Sequence, residues 1–243
     1  ERELPQVGLQ LGVRGGDVAP RNREAFLAAI DGLLYGDDPR QGIVEGNVFR
    51  HPDLRIAFTA PAGYAIANGT QAVSVTGQGG QAQLVSTRYD GDLSRHVEQV
   101  LASLSQGGAP SAEVRRTVVG GFDAAYASVR AAAGDQPVDV TVFAFEASRS
   151  SAYHFLTITP AGAGLGPFST MIDSFRRLSP EEAGRIRARE IDIVNVRPGD
   201  TPERLAAAMA VPDRKLERFL VLNRLRAGQP LPPGSKVKLV VYR

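Results

Sequence analysis

The sequence contains no cysteine and no tryptophan, only two methionines and three histidines, and its 28 basic residues include just three lysines, Lys215, Lys236 and Lys238. Without cysteine, disulfides, thiolate metal sites and cysteine nucleophiles are all excluded, and redox logic leaves the compartment open. Charge of one sign is scarce too: the formal net charge is +2, because 26 acidic residues are interleaved with the arginines. A phosphate-binding surface needs an uncompensated basic stripe, so nucleic-acid binding is not expected. No apolar run approaches the roughly 20 residues of a membrane-spanning helix, so no membrane span is expected. Glu1-Arg2-Glu3-Leu4-Pro5 lacks the basic-then-apolar layout of a secretion signal. The expectation is a soluble chain, either cytoplasmic or a processed or truncated piece of an exported protein, and the start without Met favours the piece.

What is present suffices for one large or two small domains: 243 residues with 43% hydrophobic content can bury a core in each. Residues 1–22 are polar and punctuated by Gly and Pro. Phe26, Leu27, Ile30, Leu33 and Leu34 then recur at helical spacing and predict one short amphipathic helix inside a 1–44 linker. The stretch Tyr35 to Gly42 reads as a helix stop and turn, so a new unit is expected from Glu45.

Over 45–178 the period changes to two. Leu54, Ile56 and Phe58 alternate, as do Val73 and Val75, and Val138, Val140 and Val142 oppose Phe143 and Phe145. Two helical stripes interrupt these strands, one of Leu93, Val97, Val100, Leu101 and Leu104 and one of Phe168, Met171, Ile172, Phe175 and Leu178. The expected fold class is α+β, an antiparallel sheet with helices on one face. Ser105 to Ser111 reads as a loop and Ala131 to Pro137 as a hairpin connection. Residues 179–190, with Glu181 and Arg185 at i, i+4, predict a solvated linker helix. A last unit, 191–243, reads strand, helix from about Pro202 to Met209, helix from about Asp213 to Asn223, and strand from Val237 to Tyr242.

Catalytic constellations are sparse. The three histidines stand apart in sequence, His51 before Pro52, His96 in a helix and His154 in a strand, so a metal site within the chain is not expected. His154 alternates with Leu156 and Ile158 and reads as a hydrogen-bonded, half-buried sheet histidine rather than a catalytic base. There is no Gly-x-Ser-x-Gly elbow, and Ser148, Ser150 and Ser151 lack a recognisable triad order. Gly77-Gln78-Gly79-Gly80, Gly120-Gly121 and Gly162-Ala163-Gly164-Leu165-Gly166 read as turns rather than phosphate cradles, because no Gly-Lys-Ser/Thr follows. Asp90 and Asp92 flank Gly91 and read as a turn, with Asp92 capping the helix that begins at Leu93.

The final unit resembles a LysM domain, a small βααβ fold. The resemblance is carried by Val194 to Thr201, Leu205-Ala206, Leu220 to Leu225 and Leu231 to Leu239. It implies recognition of N-acetylglucosamine-containing glycans such as peptidoglycan, in a groove formed by Gly199, Asp200, Thr201 and Pro202 on one side and Asn223, Arg224 and Leu225 on the other. The turn Val211-Pro212-Asp213-Arg214-Lys215 is longer than the usual pattern.

More widely, Ala28 to Gly42, Glu45 to Leu54 and Phe58 to Tyr64 resemble the region after the catalytic domain in bacterial peptidases related to the CAAX prenyl protease. That resemblance implies a periplasmic parent protein whose zinc-bearing His-Glu-x-x-His domain lies outside this chain. It also implies no cofactor and no catalysis here, and a role in docking substrate, envelope proteins or the parent's own catalytic domain. The opening Phe58-Thr59-Ala60-Pro61-Ala62-Gly63-Tyr64 and the helix from Phe168 to Leu178 also resemble the PsbP type of fold, which serves docking and assembly. The alternative expectation is a stand-alone peptidoglycan-binding LysM protein.

Overall fold

A computed structural model describes residues 23–104 and 112–243. The loop expected at Ser105 to Ser111 and the polar segment 1–22 lie outside the described residues. The chain divides into two compact units, residues 23–33 with Ile191–Val240 and residues Leu34–Glu190 with Val241–Arg243. The class is α+β with antiparallel sheets.

The elements in chain order are α1 (Arg23–Ile30), β1 (Ile43–Glu45), β2 (Val48–His51), β3 (Ile56–Thr59), β4 (Ala65–Asn68), β5 (Val73–Gly77), β6 (Gly80–Arg88) and α2 (Leu93–Ser103). There follow β7 (Arg115–Val119), β8 (Phe122–Ala133), β9 (Gln136–Ser148), β10 (Ser151–Pro160), α3 (Phe168–Ser174), β11 (Arg176–Arg177) and α4 (Pro180–Gly184). The last are β12 (Arg189–Asn195), α5 (Pro202–Ala207), α6 (Lys215–Asn223) and β13 (Lys236–Tyr242).

The larger unit is built on a seven-stranded antiparallel sheet of order β4-β5-β6-β10-β9-β8-β7. Its inner strands are apolar on both faces, as the run from Asp139 to Phe145 shows by being buried throughout. A sheet of that composition needs cover on both sides. One face packs α2 through Leu93, Val97 and Leu101 against Ala125, Val142 and Ala144. The other packs α3, through Phe168, Met171 and Ile172, together with Phe49 and Phe58 against Phe143, Phe145 and Phe155. Helices therefore lie on both faces, correcting the expectation of one: α2 and α3 each carry a single apolar stripe, and each covers a different side. Each buried Leu or Phe is worth about 2 kcal/mol.

A second, four-stranded sheet of order β1-β2-β3-β11 supplies Phe49 and Phe58. The turn between β3 and β4 explains the Pro61-x-Gly63-Tyr64 sequence. Tyr64 packs edge-on against Phe168 at 5.3 Å and its hydroxyl accepts the Gly79 amide at 2.8 Å. A Cβ at Gly77 would lie 2.6 Å from the Tyr64 ring, so glycine in the β5-β6 hairpin is required by this close approach rather than by a ligand. At the β7-β8 turn, Gly120 has φ +56°, and a Cβ there would meet the Phe175 carbonyl at 1.9 Å.

Several boundaries differ from expectation. The helix expected from Phe168 to Leu178 ends at Ser174, Phe175 is extended, and Arg176–Arg177 forms β11. α1 ends at Ile30 and buries only Leu27, leaving Phe26, Leu33 and Leu34 exposed. It belongs to the smaller unit rather than to a linker, because Gly32 donates to the Ile191 carbonyl and Ile191 donates to that of Leu33, both at 2.8 Å. The helix expected over 179–190 stops at Gly184, and the chain is extended again from Arg189. In the smaller unit the order is strand, helix, helix, strand, with Ala206, Met209, Phe219, Leu239 and Val240 buried.

Candidate functional site

Two of the three histidines are not apart. His96 on α2 and His154 on β10 meet across the helix-sheet interface, with Nε2 of His96 3.2 Å from Nδ1 of His154. Helical spacing turns His96 inward with Leu93 and Val97, and strand alternation puts His154 on the same side of the sheet as Ala144 and Ala152. Both side chains are buried, and burial lowers both pKa values, that of His154 to about 4, with the neighbouring imidazole adding to the effect. Across this contact one ring nitrogen donates and the other accepts. The Tyr89 ring lies edge-on to His96 at 6.0 Å, and its hydroxyl donates to Glu146 Oε2 at 2.5 Å. Among the described residues no three His, Asp or Glu side chains gather into a metal-holding group. His51 is elsewhere, its Nδ1 accepting the Leu54 amide at 3.3 Å.

The Gly162 to Gly166 loop holds an anion, and the anion is internal. Asp139 Oδ2 accepts the amides of Gly162 and Gly164, each at 2.8 Å, and the Gly164 amide leads the effects that lower its pKa. A carboxylate of the chain thus occupies the position a phosphate would need. Asp92 caps α2 by accepting the amides of Ser94 and Arg95, as the sequence reading expects.

In the smaller unit, the residues implied in glycan recognition fall at two helix ends. Gly199, at φ +85°, and Asp200 form the turn before α5, where Asp200 Oδ2 accepts the Arg197 amide at 2.8 Å. Thr201 caps α5 by accepting the Arg204 amide at 3.2 Å, and Pro202 is buried in its first turn. Asn223, Arg224 and Leu225 close α6, with Arg224 in the left-handed region at φ 55°. The Asn223 amide donates to the carbonyls of Phe219 and Lys238 at 3.0 and 2.9 Å and accepts the Lys238 amide at 2.7 Å, stapling α6 to β13. Asp200, Thr201 and Asn223 therefore carry structural bonds, and Thr201 and Arg224 are the exposed polar residues of the set.

The open polar site lies on the larger unit, at residues that sequence reasoning passed over. Strand register aligns Ile43, Arg50, Ala57 and Arg176 in one row across β1, β2, β3 and β11. Because Phe49 and Phe58 point into the core, this row faces outward. Above it α4 and the segment to Arg187 form a wall, and Tyr242 closes one side, leaving a cleft of about 450 Å³.

Four arginines line the cleft, Arg50, Arg176, Arg185 and Arg187, against two glutamates. Arg50 pairs with Glu45 at 3.0 Å. Arg176 grips both oxygens of Glu182 at 2.8 and 3.1 Å. Glu182 also accepts the Ser179 amide in the capping box of α4, and with Arg176 first among the causes its pKa falls to about 2. Arg185 pairs with Glu181 outside the lining at 2.5 Å. Arg187 lies 5.5 Å from the centre of the Tyr242 ring and, among the described residues, makes no ion pair. The one signal in the sequence is Arg185-Ile186-Arg187-Ala188-Arg189, whose period of two suits an extended wall better than a helix.

No family model matches the chain, and no curated protein matches it. Among solved structures it is similar to a protein of Bacteroides thetaiotaomicron VPI-5482, with a TM-score of 0.42 and 12% identity over 63% of this chain; the chain spans 55% of that protein. It is also similar to LpqN of Mycobacterium tuberculosis, described as involved in cell envelope biogenesis, with a TM-score of 0.38 and 9% identity over 51% of this chain and 83% of LpqN. In the described residues, no helix is long and apolar enough to cross a membrane.

Proposed function

We propose that this chain is a non-catalytic accessory region of a periplasmic bacterial zinc metalloprotease related to the CAAX prenyl protease, and that it docks substrate or a partner protein for a catalytic domain carried elsewhere in the parent. Its larger unit is read as PsbP-like and its smaller unit as LysM-like. The observation that supports docking over chemistry is where the polar side chains are spent. His96 and His154 bond each other, Asp139 bonds the glycine loop and Asn223 bonds β13, whereas the arginines of the outer cleft keep unused donors facing solvent. Groups with perturbed pKa values often mark catalytic sites, but here the perturbed histidines are largely buried under α2 and face each other.

The reading frame upstream of Glu1 tests the assignment first: an exported His-Glu-x-x-His domain is expected, and a start codon directly preceding Glu1 overturns it. In that parent, removing residues 23–243 should slow hydrolysis of a folded protein substrate while sparing that of a short chromogenic peptide. Equal loss on both substrates would place these residues in catalysis instead.

A further inference from the structure

We infer that the cleft on the outer face of the four-stranded sheet is a binding site for an acidic peptide segment, in which carboxylates alternate with apolar side chains. The inference deepens the docking reading and takes its biological meaning from it, but its chemistry stands on the cleft alone.

The lining carries four guanidinium groups and two carboxylates, and both carboxylates are already engaged. A guanidinium has five N–H donors. Arg50 commits Nη1 to Glu45 and Arg185 commits Nη2 to Glu181, so each keeps donors for a second carboxylate, and both side chains are partly open to solvent, at 35% and 75%. Arg187 brings a whole guanidinium without an acidic partner among the described residues. Arginine forks favour planar, two-pronged recognition of carboxylates. Because Glu45 and Glu182 hold Arg50 and Arg176 in place, little side-chain entropy remains to be lost when a ligand binds there.

Between these charges the buried Ile43 and Leu178 form the floor, and the partly exposed Ile186 and the exposed Tyr242 ring offer the apolar surface. An inorganic anion would leave that apolar surface wet, and a nucleic acid would bring phosphates without side chains to cover it. A peptide with apolar residues between its acids satisfies both. The cationic groups stand on β2, β11 and the segment after α4, separate elements that suit several carboxylates along an extended chain rather than one anion.

The test is fluorescence polarisation of the full 243-residue chain with a labelled octapeptide of alternating Glu and Leu, with an octapeptide of alternating Lys and Leu for comparison. Saturable binding of the acidic peptide is expected, weakening as salt is raised and falling at least tenfold in an Arg185→Glu, Arg187→Glu double variant. Arg149→Glu, an exposed arginine outside the cleft, should bind as the parent chain does. Arg187→Gln provides the milder variant should the double reversal lower the melting temperature.

Equal binding of acidic and basic peptides, no saturation, or undiminished binding by both cleft variants would overturn the inference. So would displacement of the tracer by tripolyphosphate combined with equal affinity for an octapeptide of alternating Glu and Ser, an outcome that identifies a bare anion site. The parent-protease reading fails on the upstream reading frame, not on this titration, so the two are separable.

Discussion

The interface under α2 and the outer face of the small sheet use polar residues in opposite ways. Under α2, two largely buried imidazoles meet each other through one nitrogen apiece. On the outer face, guanidinium groups are held by single carboxylates at the rim of an open cleft and keep donors to spare. Polarity that is closed on itself contributes to specifying the fold; polarity left open is available to a partner. The contrast is what motivates the proposal that a partner docks on the larger unit.

Changes that attack the support of each region should separate them, and the largest effect is expected at Gly120. Its carbonyl accepts the Arg177 amide, and an added Cβ would run into the Phe175 carbonyl. Gly120→Ala should therefore cost about 3 kcal/mol in urea unfolding, through strain at positive φ and the backbone clash. It should also loosen β11, so peptide binding should fall with stability. A cost under about 0.5 kcal/mol, the level of an ordinary surface change, would show that the turn relaxes freely.

Next comes acid. Because burial lowers the folded pKa of His154 from the ordinary 6.5 to about 4, the unfolded chain binds the proton more readily. Stability should be full above pH 6.5, fall as pH drops through that value, and level off for this group near pH 4. The expected loss is about 2 kcal/mol between pH 7 and pH 4.5, read from urea midpoints. A His96→Ala, His154→Leu double variant should flatten the fall, and an unchanged slope would place the titrating group elsewhere. Glu182 and Asp139, whose folded pKa values are depressed, lose their contributions only at lower pH still.

The smaller unit should respond less. Asn223→Ala removes three hydrogen bonds from a half-buried side chain and should cost about 1–2 kcal/mol, with α6 amides gaining hydrogen exchange. If the variant keeps full stability but loses affinity for soluble peptidoglycan fragments, the residue belongs to the glycan groove of a LysM protein and not to the staple.

Much of this architecture is legible in the sequence, because it depends on local pattern. The stripe from Leu93 to Leu101, the alternation from Val138 to Phe145, the cap at Asp92 and the strand-helix-helix-strand order after Arg189 all follow from period and capping. Contacts made by register are not legible. His96 and His154 meet only because α2 lies over β10, and Arg50 and Arg176 share a row only because β2, β3 and β11 pair in a particular alignment. The single-face expectation failed on similar grounds: apolar stripes show that a helix packs, not on which side of the sheet. The 179–190 helix failed because Glu181 and Arg185 satisfy helical spacing for one turn, while the Arg-x-Arg-x-Arg run beyond has the period of a strand.

The central claim is that partner recognition belongs to the arginine-lined cleft. Heteronuclear NMR of the whole chain, titrated with the acidic octapeptide, tests it most directly. The account predicts amide shifts clustered at Ile43, Arg50, Arg176, Ile186 and Arg187, with Gly199 to Pro202 and Asn223 to Leu225 unmoved. Shifts confined to those two helix ends, or to the interface around His96 and His154, would contradict it.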